Sequence, residues 1–135
     1  MEDRAGGRRR VRVLVVDDNV PCRRAAAAVV RRADGFELSG TARSGEEAVR
    51  LSERLEPDLV LLDVRMREMN GIEATQRILA LRPETVVVLV SAWPQETTSG
   101  AAARCGAAAA LPKHDLKPRV LGELWARHGH ALASS

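Results

Sequence analysis

Short apolar runs rich in Val and Leu recur along this chain, with helix-forming stretches between them. The clearest are Val11-Arg12-Val13-Leu14-Val15-Val16, Leu59-Val60-Leu61-Leu62 and Thr85-Val86-Val87-Val88-Leu89-Val90. A strand with one wet face alternates apolar and polar residues. These runs do not, so they read as strands buried on both faces of a parallel sheet. Parallel neighbours need a crossover long enough to hold a helix. With residues 36–42 and 107–111 added, strand and helix signals alternate five times, the pattern of a doubly wound α/β sheet. Right-handed crossovers then place helices on both faces. Residues 107–111 enter only through this order, because the four alanines there favour helix by propensity.

Local punctuation sets the elements. Asn19 or Val20 starts a first helix with Pro21 in its first turn, and Asp34-Gly35 stops it. In the second strand Phe36, Leu38 and Gly40 alternate against Glu37 and Ser39. Ser44 and Glu47 form an S-x-x-E capping box ahead of a helix with Ala48, Leu51 and Leu55 as its stripe, ended at Pro57. Asn70-Gly71 is a turn before a helix over 72–81, with Ile72, Thr75, Ile78, Leu79 and Leu81 along one side. A fourth helix is expected over 94–105, closed by Gly106, and a fifth over 116–128 with Leu121, Leu124 and Trp125 in the core.

The chain has 135 residues, enough for one core and hardly for two. The expected organisation is a flexible basic N-terminus (1–9), one domain (10–128) and a flexible tail (129–135). Much of the modest net charge of +3 comes from Arg4, Arg8, Arg9, Arg10 and Arg12. That cluster joins no basic helix and carries no aromatic residue, so it reads as a solvated terminus rather than a nucleic-acid arm. With no Tyr and one Phe, base stacking has little to work with. Cys22 and Cys105 form no CxxC or Cys/His cluster, which argues against zinc and against a disulfide framework. No apolar stretch suffices for a signal core or a bilayer span, so the expected setting is cytoplasmic, away from membranes.

The chemistry lies at the ends of the apolar runs. Asp17 and Asp18 follow the first, Asp63 the third, and Lys113 follows Ala109-Ala110-Leu111-Pro112. Ligands of open α/β sheets bind at the carboxyl ends of the strands. Three acids and an ammonium converging there suggest a divalent metal beside a reactive carboxylate. Each residue alone has a plainer reading: Asp caps helices, Ser91 suits a turn and Lys113 a surface. Close carboxylates raise one another's pKa, and a hard dication such as Mg²⁺ relieves that repulsion.

Five pieces in order resemble the receiver domain of two-component response regulators: Val-Val-Asp17-Asp18, Leu-Leu-Asp63-Val-Arg-Met66, Asn70-Gly71-Ile72-Glu73-Ala74, Val-Ser91-Ala92 and Leu-Pro-Lys113. The resemblance covers about residues 10–128. It implies a flavodoxin-like sheet of strand order 2-1-3-4-5. It implies that Asp63 takes a phosphoryl group from a histidine kinase or phosphotransfer protein. Asp17, Asp18, Asp63 and the main-chain carbonyl of Arg65 would surround Mg²⁺. Lys113 would pair with Asp63 and then with the phosphoryl oxygens, and Ser91 would turn toward the phosphoryl group. The output would be protein contact with an output protein or domain, a homodimer being one form, without direct nucleic-acid binding by this domain. The chain would be a regulator standing alone or the receiver part of a transcriptional regulator, and not an enzyme beyond its own phosphorylation and slow dephosphorylation.

Three positions depart from the family. Arg67 stands where Pro often follows the Met, so the loop after Asp63 is expected to be more mobile. Ala110 stands where Tyr or Phe usually serves as a rotamer switch, which leaves the route outward from Ser91 open. His114 stands where Pro often follows the Lys, and its peptide bond is expected trans. These motivate an alternative, a degenerate receiver signalling without phosphorylation. A dehalogenase-type aspartyl-phosphate hydrolase would need an acid where Arg65 stands. A flavodoxin-type cofactor site is disfavoured by Asp17-Asp18-Asn19, which would repel phosphate. Trp93 is expected over or beside the site, while His114, His128 and His130 are given no role.

Overall fold

The computed structural model describes residues 9–129. Of the expected flanks, all but Arg9 and Gly129 lie outside the described residues. Five parallel strands, β1 (Val11–Val16), β2 (Phe36–Ala42), β3 (Leu59–Asp63), β4 (Val86–Ser91) and β5 (Ala109–Pro112), form one sheet in the order β2-β1-β3-β4-β5. This is the doubly wound order expected. The helices are α1 (Val20–Arg32), α2 (Gly45–Leu55), α3 (Gly71–Leu81), α4 (Gly100–Arg104) and α5 (Pro118–His128).

Two apolar layers flank the sheet. Leu14, Val16, Val60, Leu62, Val87 and Leu89 meet Ala48 of α2, Ala74 and Ile78 of α3 and Ala102 of α4. Val13, Val15, Leu59, Leu61, Val86 and Val88 meet Val30 of α1 and Leu121 of α5, with Leu124 and Trp125 packed alongside. Strands β3 and β4 are buried at every residue, which is why their sequences carry no polar alternation.

Helix α1 starts as expected, Asn19 Oδ1 accepting from Cys22 N–H at 2.9 Å. In α2 the Ser44 hydroxyl accepts from Glu47 N–H at 3.1 Å, while Glu47 reaches back to Arg43 N–H, one residue before the cap, at 2.9 Å. Pairing of Ala109–Pro112 with β4 overrides the helical preference of the alanines, and Gly106, at φ +103°, ends α4 where a side chain would be strained.

Four expectations need correction. The register of β2 shifts between Val13↔Leu38 and Leu14↔Gly40, so Ser39 is an extra residue, its hydroxyl donating to Val13 C=O at 3.0 Å. The bulge turns Gly40 toward Leu55 and Leu14, on the face opposite to Leu38, instead of continuing the alternation. The helix over 94–105 is broken into a 3₁₀ turn, Pro94–Thr97, and the five-residue α4. Hydroxyls of Thr97, Thr98 and Ser99 donate to the carbonyls of Pro94, Gln95 and Glu96, offering the backbone an alternative to helix, and Ser99 then caps α4. The start of the last helix moves to Pro118, because Lys113–Asp115 forms a 3₁₀ turn. Leu81 is exposed, and the buried side of α3 is Gly71, Ala74, Thr75 and Ile78.

Candidate functional site

The carboxyl ends of β1, β3 and β5 bring Asp17, Asp18, Asp63 and Lys113 together. Oxygens of the three acids lie within 4.8 Å of one another. Asp17 and Asp63 are buried, 3% and 4% exposed, whereas Asp18 faces solvent. Lys113 Nζ stands 2.7 Å from Asp17 Oδ2 and 3.5 Å from Asp63 Oδ1. The expected Lys113–Asp63 pair is thus present as the looser half of a fork whose tighter half is Asp17.

One ammonium does not neutralise this cluster. Burial and the neighbouring Asp17 push the Asp63 carboxyl up to about 7, against the pull of Lys113. For Lys113 burial acts to lower the pKa, but the hydrogen bond to Asp17 and the charges of Asp63 and Asp17 outweigh it and hold the ammonium above its ordinary value. A site whose clustered ligand groups are three carboxylates, short of positive charge, fits a hard divalent cation.

The loop after Asp63 is folded back by its own backbone. Val64 N–H donates to Val90 C=O at 3.1 Å, and Gly71 N–H to Val64 C=O at 2.8 Å. A Cβ at Gly71 would lie 2.3 Å from Asp63 C=O, so the start of α3 can approach only because residue 71 has no side chain. Arg67 N–H donates to Asp18 Oδ2 at 3.3 Å, a bond that proline at this position could not make. Glu68, at φ +64°, turns the chain toward Asn70, whose side chain caps α3.

Ser91 ends β4, next to Val90, which pairs with Asp63. The Ser91 hydroxyl is fully buried and lies 2.6 Å from Glu96 Oε1 and 3.2 Å from Trp93 C=O; its single proton goes to the nearer carboxylate. It accepts Trp93 N–H at 2.9 Å. The second oxygen of Glu96 accepts from Arg65 Nε at 2.9 Å and Nη2 at 2.8 Å, and the guanidinium lies 5.1 Å from the centre of the Trp93 ring. Partial burial acts to raise the Glu96 pKa, but the Ser91 hydroxyl and Arg65 prevail and hold it below the usual carboxylate range. Sequence reasoning missed Glu96. Its one signal was an acid five residues after Ser91, hidden inside a stretch read as helix. Trp93 lies beside the site under Arg65, half exposed. Ala110 is part-buried on β5, His114 is exposed, and every described peptide bond is trans.

A five-stranded 2-1-3-4-5 sheet with an acid cluster, a lysine and a hydroxyl at its carboxyl edge defines a flavodoxin-like signalling fold. The response regulator receiver domain family matches residues 13–123, and the chain belongs to that family. It is 35% identical to the chemotaxis protein CheY of Thermotoga maritima over 84% of this chain and 93% of that protein. The crystal structure of the response regulator domain of Thermotoga maritima CheB superposes with a TM-score of 0.79 at 27% identity, covering 92% of this chain and 100% of that one. The CheX–CheY complex of Borrelia burgdorferi, crystallised with BeF₃ and Mg²⁺, gives 0.75 at 28% identity, covering 86% and 87%. Against three longer curated relatives the chain spans only 25% to 48% of their length. Among the described residues no helix is long and apolar enough to cross a membrane.

Proposed function

We propose that this chain is a phospho-accepting receiver, taking a phosphoryl group onto Asp63 and passing the change on by protein contact. The observation that carries the reading is the buried Asp63 carboxylate, within 4.8 Å of two further acids and 3.5 Å from Lys113 Nζ. The donor class is a phosphohistidine on a kinase or phosphotransfer protein. An Asp63 oxygen bonds to phosphorus as the P–N bond breaks, its electron pair staying with the imidazole. Lys113 holds its ammonium beside the acceptor and meets the incoming oxygens. Asp17, Asp18, Asp63 and the Arg65 carbonyl would hold Mg²⁺, which when bound neutralises charge on the phosphoryl oxygens. Ser91 offers its hydroxyl to the phosphoryl group. The functional unit is residues 10–128 and acts in the cytoplasm. Its only chemistry is its own phosphorylation and dephosphorylation, whether it stands alone or serves a longer regulator.

The test is intact-mass measurement after incubation with acetyl phosphate and Mg²⁺, beside Asp63→Ala. Wild type is expected to gain one phosphoryl mass, EDTA to abolish the gain, and the variant to show none. No gain in folded wild type overturns the reading for small donors. Ala110 in place of the aromatic switch favours a second reading, a degenerate receiver, which absence of beryllofluoride binding as well would support.

A further inference from the structure

Between the acid cluster and the surface lies a second charge system that the proposed phosphorylation does not require. Glu96 bridges two groups that a phosphoryl anion would also seek: the Ser91 hydroxyl on one oxygen and the Arg65 guanidinium on the other. We infer that Glu96 is a resident anion competing with the phosphoryl group for the Ser91 hydroxyl, and that its release frees the turn Pro94–Thr97 as the chain's outward signal. This deepens the phospho-acceptor reading and rests on it.

A hydroxyl carries one proton, so Ser91 cannot donate to Glu96 and to a phosphoryl oxygen together. At 2.6 Å the bond to Glu96 has the length of a charge-assisted hydroxyl–carboxylate bond, a strong kind, and the buried hydroxyl has no access to water as a replacement partner. Once the proton turns to the phosphoryl group, Glu96 loses a partner and gains a nearby anion that repels it. Arg65, two residues from Asp63 and 64% exposed, holds the carboxylate from the solvent side only.

The turn that carries Glu96 is built to yield. It has no buried residue, and Ala92, Trp93, Pro94, Gln95 and Thr98 are exposed. The hydroxyls of Thr97, Thr98 and Ser99 bond only within residues 94–102, among the described residues. The turn packs against the ends of β4 and β5, beside the strand that carries Ala110. Ala110 has no rotamer to transmit a change, and Glu96, a side chain with rotamers of its own that bonds Ser91 directly, stands in its place. Glu96 is therefore a positioning residue acting through Ser91.

The experiment titrates beryllofluoride with Mg²⁺ into wild type, Glu96→Gln, Glu96→Ala, Ser91→Ala and the Ser91→Ala/Glu96→Gln double variant, each checked for folding by circular dichroism. Both Glu96 variants are expected to bind roughly three- to tenfold more tightly than wild type. In the Ser91→Ala background the gain from Glu96→Gln should shrink to within about twofold, because the contested proton is gone. Amides of residues 94–104 should exchange faster in wild type on binding, and already do so in unliganded Glu96→Gln. Unchanged affinity in both Glu96 variants overturns the competition while leaving Asp63 as acceptor. A gain that persists undiminished without Ser91 overturns it too, since a general charge effect then suffices. Failure of wild type to bind overturns the phospho-acceptor reading, and the competition falls with it.

Discussion

Asp63 is placed where its own charge is least tolerated: 4% exposed, against Asp17, with Lys113 drawn more closely to Asp17 than to itself. Its pKa of about 7 in the fold lies above the ordinary 3.8. Between those values the folded chain binds a proton that the unfolded chain releases, so stability falls as pH rises and the whole penalty is present above about 7. In EDTA, urea unfolding should show wild type losing roughly 2–4 kcal/mol more than Asp63→Asn between about pH 4 and about pH 8. Parallel pH profiles for the two proteins would show that Asp63 is not strained by its charge. At this scale the sequence revealed the residue types and their order. It did not reveal that Lys113 prefers Asp17, nor that Glu96 holds Ser91. Both depend on sub-ångström placement of side chains from different elements, which no spacing encodes.

At the level of elements, β3 and β4 were legible because burial on both faces removes polar residues, whereas the half-buried alanines of β5 were legible only through the alternating order of strands and helices. Helix α4 was not, because Thr97-Thr98-Ser99 satisfy carbonyls with their own hydroxyls and so compete with the helix that the alanines favour. The β2 bulge was hidden for a related reason: one extra residue inverts the faces without altering composition. Two substitutions probe how elements fit together. Gly71→Ala places a methyl 2.3 Å from the Asp63 carbonyl, so α3 and the acid must part. It should lower stability by about 1–3 kcal/mol and weaken Mg²⁺ binding, read by calorimetry and metal titration. Ser52 lies fully buried within α2, its hydroxyl without a hydrogen-bond partner among the described residues. Ser52→Ala removes a desolvated group without disturbing the helix and should raise the unfolding free energy by about 1 kcal/mol; a loss would reveal a partner for that hydroxyl.

For the molecule as a whole, the site stays assembled only while both apolar layers hold the same sheet. Strands β3 and β4 supply both layers alternately, Leu59 and Leu61 facing α1 and α5, Val60 and Leu62 facing α2 and α3. Neither layer can dissolve without exposing strands that the other needs, so the two should melt together. Ile78→Ala opens the first layer and Leu121→Ala the second; both side chains are fully buried, and each truncation should cost about 3–4 kcal/mol. With Trp93 replaced by Phe in every variant, Trp125 on α5 reports locally on the second layer, and far-UV circular dichroism reports on all the helices. In urea, both probes should shift together in both variants, including Ile78→Ala, whose lesion lies across the sheet from the tryptophan. The strongest challenge comes from β5, an edge strand of four half-buried residues beneath α5. If Leu121→Ala loses its tryptophan transition at lower urea than its helical signal, α5 and β5 form a separate unit. Lys113, at the end of that strand, would then leave Asp17 and Asp63 before the rest of the fold gives way.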